Sequence, residues 1–357
     1  MSRYVIDKKL LEENIKLIKD KAGVPLIGVV KGNGYGFGIQ EFSTVLKENG
    51  IQTFAVTEVD DIAELKEVLD NEDILVMRST CIEDEARIIA ESGCIATIGS
   101  LNSAEVMDKV SEDLGVKTKC YLKIDTGMGR YGFIPSEVES AIRCYDFENL
   151  AFIGAYTHFS SAFTNTELTK AQLALFKDTM AQIEKAGKKV GILHAANSPA
   201  LLNVSDVCLD SVRVGSAFTG RVITQSKTKL NRLGRLEAEV IEIKTVPAGY
   251  SVGYNGLYKT KRETKIAIVP IGHYDGFGLA KEKETADLRS VLSQLKKYLN
   301  KKQMYVKIEG RMYSVIGEIG LSHTAVDVTG SDVKIGDTAS VDISPLMVNP
   351  RIKRVYE

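Results

Sequence analysis

The chain lacks an excess of charge of either sign. Its 46 Lys and Arg residues are balanced by 47 Asp and Glu residues, which gives a formal net charge of −1. Nucleic acids and anionic lipid surfaces attract strongly basic proteins, so we expect neither as a partner. Hydrophobic residues make up 44% of the 357 positions and charged residues 26%, the balance of a soluble globular protein with room for two domains.

Cysteine is also scarce, and its spacing excludes two common structural devices. The five cysteines are scattered and odd in number, and the sequence has no CxxC pair. We therefore expect neither a disulfide framework nor a metal site, and a reducing cytoplasm is compatible with this usage. These residues are Cys81, Cys94, Cys120, Cys144 and Cys208.

Long apolar runs are missing as well. No stretch reaches the roughly 18 consecutive apolar residues of a membrane span. The start of the sequence, residues 1–23, is charged and amphipathic and lacks the apolar core of a signal peptide. We therefore expect a cytoplasmic protein with no membrane association.

What the first part of the chain does contain is a regular alternation of short apolar runs and amphipathic segments. The runs occupy residues 25–30, 53–59, 74–79, 94–99, 119–125, 152–159, 190–196 and 208–215. Eight strands alternating with helices predict a (β/α)8 barrel of the TIM type over residues 1–232. An open doubly wound sheet is the alternative, because strands counted by eye can be missed.

The pattern changes at residue 233. From there to residue 357 the segments alternate polar and apolar residues, are rich in β-branched side chains and are joined by glycine turns. This pattern predicts a C-terminal domain of mostly antiparallel β-strands. Residues 280–303 interrupt it with a charged helical pattern, which we interpret as an inserted surface helix.

Polar residues follow the predicted barrel strands. Active sites of such barrels lie at the carboxyl ends of the strands, so these residues should share one mouth. They are Lys31, Glu58, Arg78, Ser100, Asp125, Arg130, His158, Asn197, Ser198 and Arg213. Several cations beside hydroxyl and amide groups predict a site for a small anionic ligand.

Lys31 is the most informative of these residues. A surface lysine after a strand is the ordinary interpretation, but a desolvated amine has a lowered pKa and can form a Schiff base with an aldehyde. The glycines at every second position from 32 to 38 allow the backbone to approach a ligand closely. Tyr35 could reach a phosphate with its hydroxyl.

A second candidate for phosphate binding lies where the seventh and eighth predicted strands end. Barrels often bind phosphate with backbone N–H groups of the loops that follow these strands. Gly215 and Ser216 suit this task, and Asn197 and Ser198 could add to it. The ordinary interpretation of each of these turns, taken alone, is a strand-to-helix connection with no binding role.

The string VVKGNGYGFG (29–38) resembles the lysine signature of alanine racemases, which depend on pyridoxal 5′-phosphate (PLP). The resemblance continues in the same order over nearly the whole chain. The matching strings are KIDTGMGRYGF (123–133), YTHFSSA (156–162), LHAANSPA (193–200), DSVRVG (210–215), SVGYNGLY (251–258) and IVPIGHYDGF (268–277). This resemblance implies a PLP-binding barrel, a β domain, and a homodimer with shared active sites.

The resemblance also implies roles for individual residues. Lys31 would carry PLP and act as one acid/base group, and Tyr254 from the other subunit would act as the second. Arg213 would face the pyridine nitrogen, and Arg130 would lie near the phenolic oxygen. His158 would be hydrogen-bonded near Tyr254 and Arg213. The implied cofactor-binding residues are Lys31, Tyr35, Arg130, His158, Asn197, Ser198, Arg213, Gly215 and Ser216. Lys123 matches a lysine that is carbamylated in some members.

Three departures from the family pattern fall at expected substrate-pocket positions. Leu321 and Ser322 stand where many members have a Met-Asp pair, His273 replaces a tyrosine, and Met347 replaces another tyrosine. A flexible methionine could admit a larger or polar side chain. We therefore expect a racemase of alanine, which would supply D-alanine, with serine or a broader set of amino acids as the alternative.

Other classes remain as alternatives on the sequence alone. A PLP-dependent decarboxylase with a similar design usually has a cysteine motif late in the chain, and no cysteine follows Cys208. A non-catalytic PLP carrier would lack the second domain. A racemase homologue that has lost activity and serves as a binding or regulatory module is compatible with the altered pocket.

Overall fold

The computed structural model describes residues 2–222, 224, 226–256, 258–279 and 303–357. The chain divides into two compact units, one of residues 8–233 and one of residues 1–7 with 234–357. All but the last residue of the helical insertion expected at 280–303 lies outside the described residues. Strand β1 (Arg3–Ile6) belongs to the second unit.

The first unit is a ring of eight parallel strands. The first seven strands pair each with the next along the chain, and the eighth pairs back on the first. The strands are β2 (Leu26–Val29), β3 (Thr53–Val56), β4 (Asp73–Ser79), β5 (Ile95–Ile98), β6 (Thr118–Lys123), β7 (Leu150–Tyr156), β8 (Ile192–His194) and β9 (Val212–Val214). A parallel bridge between His194 and Ser211 joins the seventh and eighth strands of the ring. The predicted TIM-type barrel is confirmed.

Helices connect these strands. They are α1 (Lys8–Ala22), α2 (Lys31–Tyr35), α3 (Ile39–Glu48), α4 (Asp61–Lys66), α5 (Glu83–Glu91), α6 (Leu101–Leu114), α7 (Val138–Arg143), α8 (Thr166–Lys185) and α9 (Ser198–Asn203), with single 3₁₀ turns at Pro135–Glu137 and Cys144–Asp146. None of the helices in the described part of the chain is both long enough and apolar enough to cross a membrane.

The second unit is built on a nine-stranded sheet. Its order is β11-β14-β17-β16-β15-β18-β10-β1-β19, and every pair is antiparallel except β1 with β19. The strands are β10 (Arg235–Glu239), β11 (Glu242–Val246), β12 (Ser251–Val252), β13 (Tyr258–Lys259), β14 (Thr264–Val269), β15 (Tyr305–Ile308), β16 (Arg311–Val315), β17 (Thr324–Asp327), β18 (Thr338–Val341) and β19 (Lys353–Tyr356). Strands β12 and β13 form a separate hairpin, and 3₁₀ turns occupy Tyr254–Gly256, His273–Asp275 and Pro345–Met347. The prediction of a mostly antiparallel β domain is confirmed.

Residues 1–7 correct the expected division at residue 232. The sequence places them with the barrel, but β1 lies between β10 and β19 of the second unit. Tyr4 is fully buried there, and its hydroxyl donates to the carbonyl oxygen of Ile343 at 3.0 Å. Residues 1–7 belong to the second unit because β1 pairs with strands that lie more than two hundred positions later in the chain.

Gly154 in β7 determines how the barrel interior packs. The pairing of β6 with β7 shifts by one residue here, so that Tyr121 lies opposite Gly154. A Cβ atom on Gly154 would lie 2.1 Å from the carbonyl oxygen of Ile192 and 2.4 Å from the Tyr121 ring. The Tyr121 ring in turn contacts His194 with a centroid distance of 4.7 Å. The missing side chain of Gly154 therefore leaves room for an aromatic cluster in the barrel.

We expect Gly154→Ala to lower the free energy of unfolding by about 2 kcal/mol or more, because the closest neighbour is backbone and cannot rotate away. Gly28→Ala is the matched control: it is also a strand glycine, but its nearest neighbours are side-chain carbons at 3.1 to 3.6 Å. Denaturant unfolding followed by circular dichroism measures both. Equal losses in the two variants would contradict this account of the barrel.

Candidate active site

Lys31 follows β2 at the start of an unusual turn. Residues Gly32, Asn33, Gly34 and Tyr35 all have a left-handed backbone, with φ of 62°, 53°, 61° and 55°. Such a run is rare for residues with side chains and is tolerated where the surroundings impose it. The Asn33 side-chain oxygen accepts the Ile39 N–H at 2.8 Å, which closes the turn onto α3. The turn therefore places Lys31 and Tyr35 at the barrel mouth.

A cavity of about 420 Å³ opens at the carboxyl ends of the strands. All nine residues predicted to bind the cofactor line it, and so do Lys123, Glu58 and Arg78. The nine are Lys31, Tyr35, Arg130, His158, Asn197, Ser198, Arg213, Gly215 and Ser216. Ser100 is not among the lining residues; its side chain instead caps α6 by accepting the Ser103 N–H.

Arg213 lies at the centre of this cavity and is 2% exposed. Its guanidinium donates to the carbonyl oxygens of Thr157 at 2.6 Å, Ala195 at 3.0 Å and His194 at 3.2 Å, and to the Nδ1 atoms of His194 and His158. All of these acceptors are neutral, and within the described residues no carboxylate pairs with it. Burial lowers the pKa of Arg213 to about 10.

The two histidines around Arg213 are held neutral. Because Arg213 donates to Nδ1 of both rings, each Nδ1 carries a lone pair and each proton lies on Nε2. Burial and then the charge of Arg213 lower the pKa of His158 and of His194 well below the usual range. Within the described residues, Arg213 is therefore surrounded by neutral rings and carbonyl groups, and no carboxylate contacts it directly.

Two lysines share this environment. Burial, followed by the charges of Arg130 and Arg213, lowers the pKa of the Lys31 amine. Lys123 is wholly buried, and burial and Arg213 lower its pKa well below the usual value. Its Nζ atom lies 4.5 Å from the Tyr156 ring centroid and has no hydrogen-bond partner among the described residues. Carbamylation of Lys123 stays a prediction.

Arg130 lies on a loop that is organised by a carboxylate. The two oxygens of Asp125 accept the backbone N–H groups of Gly127 at 2.9 Å, Met128 at 2.6 Å and Arg130 at 3.0 Å. The Arg130 side chain itself is exposed and lines the cavity. Asp125 therefore shapes the loop, while Arg130 offers its charge to the cavity.

The loops after β8 and β9 form a close-fitting cradle. The Ser198 hydroxyl accepts the N–H groups of Gly215 at 3.1 Å and Ala217 at 3.3 Å. A Cβ atom on Gly215 would lie 2.4 Å from the Tyr35 hydroxyl oxygen, so only glycine fits. Burial raises the pKa of Tyr35 to about 12, which keeps its hydroxyl a donor at neutral pH. With the N–H groups of Gly215 and Ala217 engaged by Ser198, the hydroxyls of Ser198 and Tyr35 are the groups left to donate to an oxyanion in the cavity.

The remaining candidates belong to the second unit: Tyr254, His273, Leu321, Ser322 and Met347. Tyr254 is 68% exposed on its 3₁₀ turn, and a Cβ atom on Gly320 would lie 3.9 Å from its ring. The His273 N–H donates to the Gly320 carbonyl oxygen at 3.0 Å. Gly320 therefore connects the Tyr254 turn to the His273 turn.

Met347 and Leu321 contact the same turn. The Tyr274 N–H donates to the Leu321 carbonyl oxygen at 2.8 Å, and a Cβ atom on Gly276 would lie 2.2 Å from the Met347 carbonyl oxygen. The three departures from the family pattern therefore lie around one turn of the second unit, His273–Asp275. Tyr254 adjoins them through Gly320.

Two residues of the cavity region were missed by the sequence reasoning. His194 holds Arg213, and Tyr156 stacks on His194 with a centroid distance of 4.8 Å. The signal that could have found them is the two-residue period of a strand, because Tyr156 precedes the candidate His158 by two positions. Both are the last residues of their strands, β7 and β8, and both are buried, whereas the sequence candidates were taken from the loops that follow the strands.

Comparisons with known proteins agree with this geometry. The family described as alanine racemase, N-terminal domain, matches residues 6–222, and the family described as alanine racemase, C-terminal domain, matches residues 233–344. The chain belongs to the alanine racemase family. It is therefore an amino-acid racemase, and the cofactor of this family is PLP.

Curated relatives match along most of their length. An alanine racemase of Methanococcus maripaludis is 31% identical over 94% of this chain and 87% of its own. One of Clostridium perfringens is 29% identical over 93% and 83%. Among solved structures, an alanine racemase of Clostridium difficile has a TM-score of 0.87 and 25% identity, covering 100% of this chain and 95% of that one.

The described residues fit PLP, which carries an aldehyde and a phosphate. The Lys31 amine has a lowered pKa, so more of it is the neutral form that reacts with an aldehyde. The cradle of Tyr35, Ser198 and Gly215 suits a phosphate, and Arg213 lacks an anionic partner within the described part of the chain. An anionic cofactor would supply the negative charge that this region is short of.

We expect Arg130→Gln to raise the pKa of Lys31, because it removes a neighbouring cation that disfavours the charged amine. The neutral amine attacks aldehydes, so the pH midpoint of the reaction between apoprotein and pyridoxal should move upward. Absorbance changes report this reaction. Arg78→Gln is the control, since Arg78 lines the cavity but is paired with Glu85 at 2.6 Å. An unmoved midpoint in Arg130→Gln would refute the assignment.

Proposed function

We propose that this racemase interconverts L- and D-alanine with two bases, Lys31 and Tyr254 of the partner subunit. The observation that carries the proposal is the Lys31 amine, whose pKa is lowered at the mouth of a cavity rich in cations. PLP bound there would supply the electron sink that makes the Cα proton of an amino acid acidic. Lys31 would then remove or return that proton on one face of Cα.

The second proton transfer needs a group on the opposite face. Tyr254 is a phenol with 68% of its surface exposed, so it is available to a surface outside its own unit. Tyr254 lines a second cavity, of about 410 Å³, formed by residues of its own unit, and Tyr250 and Leu321, 48% and 65% exposed, line that cavity beside it. Exposed apolar side chains of this kind are typical of a subunit interface. We therefore assign Tyr254 to the active site of a second copy in a homodimer.

Arg213 and His158 would control the charge around the reacting atom. A guanidinium donates hydrogen bonds but is too weak an acid to give up its proton, so Arg213 would hold a ring nitrogen by a hydrogen bond without protonating it. His158 is neutral and in contact with Arg213, which makes it a suitable link to a phenol that must lose its proton. Arg130 would add a positive charge toward anionic groups at the mouth.

Subunit complementation tests the shared site. Lys31→Ala and Tyr254→Phe homodimers should each be inactive. After equal amounts are mixed and allowed to exchange subunits, about one quarter of parent activity should return, because half of the random dimers are mixed and each has one intact site. Racemisation is followed by the optical rotation of L-alanine.

The complementation result separates the alternatives. No recovery, with subunit exchange verified by mass labels, would refute a Tyr254 contributed by the partner. If the parent enzyme with PLP releases no Cα deuterium into water from labelled alanine, the chain is the inactive homologue. Release of CO₂ from amino acids would favour the decarboxylase. The cytoplasmic location stays a prediction, as does the supply of D-alanine.

A second candidate is a racemase of serine or of a broader set of amino acids. The observation that favours it is the turn at His273, where Leu321, Ser322 and Met347 gather and none of them is an acid or a tyrosine. A serine hydroxyl needs a polar partner and room that a methyl group does not require. Ser322 is exposed and supplies a hydroxyl.

We expect Met347→Tyr to lower kcat/KM for L-serine about tenfold more than for L-alanine, because the rigid ring would narrow the pocket. A panel of single L-amino acids assayed by chiral chromatography measures the ratio. Met312→Tyr, at a methionine that is 61% exposed in the same unit, is the control. An unchanged ratio would remove Met347 from the substrate pocket.

A further inference from the structure

Gln172 occupies a position where helix α8 would ordinarily bury an apolar side chain. The buried face of this helix includes Thr169, Gln172, Leu173 and Phe176, at the spacing of an amphipathic helix. Gln172 is only 2% exposed. A buried carboxamide is unfavourable unless both of its ends find partners. Its partners therefore show what the residue does.

Both ends of the carboxamide are used, and each reaches a different loop of the barrel mouth. The Nε2 group donates to the carbonyl oxygen of Thr126 at 3.1 Å. The Oε1 atom accepts the backbone N–H of Ser160 at 3.2 Å and its hydroxyl at 3.3 Å. Gly127 packs on the same amide, since a Cβ atom there would lie 3.3 Å from Nε2. One side chain thus joins the loop after β6 to the loop after β7.

These two loops carry Arg130 and His158. The Arg130 N–H donates to the carboxylate of Asp125, the residue before Thr126, and Ser160 follows His158 by two residues. The ends of the two strands are also joined by the Thr126 and Thr157 hydroxyls at 2.8 Å. Farther from the strand ends, the side chain of Gln172 joins the two loops by hydrogen-bonding to both of them.

We propose that Gln172 is a positioning residue that fixes the Arg130 loop against the His158 loop. The carboxamide is suited to this because one end donates and the other accepts. An ionised carboxylate could not donate to Thr126. A thioether has no proton to donate to Thr126 and is only a weak acceptor for Ser160, so it could not replace these bonds. A shift of about 1 Å in a group that binds or orients the substrate can slow a reaction by roughly a hundredfold. The kinetic part of this proposal rests on the proposed function; the structural part does not.

The test uses the full chain with three variants. Gln172→Met keeps the shape and removes all three hydrogen bonds. Gln172→Glu keeps the shape and restores a donor only when its carboxyl group is protonated, which burial favours at low pH. Thr179→Val is the matched control: Thr179 is a buried residue of the same helix whose hydroxyl bonds within the helix, to Leu175.

Three measurements are made on each variant: amide hydrogen exchange of residues 126–130 and 158–162, the dissociation constant for PLP, and kcat and KM. We expect Gln172→Met to raise exchange at the Ser160 amide and to weaken PLP binding, each about tenfold, because ordered loops are lost. Gln172→Glu should be defective at about pH 9, where its ionised carboxylate accepts from Ser160 but cannot donate to Thr126, and should approach the parent at about pH 6. Thr179→Val should resemble the parent.

Unchanged loop exchange in Gln172→Met would overturn the proposal, as would a Gln172→Glu defect that does not depend on pH. The same holds if Thr179→Val and Gln172→Met change exchange in these loops equally, because the effect would then be general to the helix. Exchange and PLP binding do not require turnover. They therefore decide the role of Gln172 even if the enzyme fails to racemise alanine.

Discussion

A buried cation without a carboxylate partner determines the character of this active site. Arg213 is surrounded in the described residues by carbonyl oxygens and two imidazole rings, all of them neutral. Removing a cation from water costs several kcal/mol unless an anion or many dipoles compensate. The dipoles here hold the guanidinium in place but leave its charge unbalanced. That charge contributes to the lowered pKa of both histidines and of Lys31 and Lys123.

The loops around Arg213 are arranged to bring in an anion rather than to neutralise the charge internally. The Asp125 carboxylate lies close to this region, yet its oxygens are used by backbone N–H groups of its own loop. The Arg78 side chain at the rim is paired with Glu85 and does not add to the excess. These acidic groups near the mouth already have partners, so they do not balance the positive charge of Arg213. A phosphate-bearing cofactor would supply the negative charge that balances it.

Much of the fold and part of the site could be predicted from the sequence, for physical reasons. Short apolar runs and amphipathic helices reveal a parallel barrel, and residues after strands mark its mouth, as Lys31 and Arg213 do. Strand β1 could not be placed, because four residues do not indicate partners more than two hundred positions away. His194 and Gln172 were missed because buried polar residues inside regular elements look like ordinary members of those elements. Their roles depend on which loops they contact in space.

The position of β1 between β10 and β19 has a consequence for how the polypeptide acquires its structure. Residues 3–6 are synthesised before the barrel of residues 8–233, and their parallel partners, residues 353–356, are synthesised after it. The barrel has its own ring of strands and can close while the nascent chain is still growing. Strand β1 must stay unpaired during that time. Sheet formation in the second unit is thus a late event of high contact order, and it joins two segments that flank the barrel in the sequence.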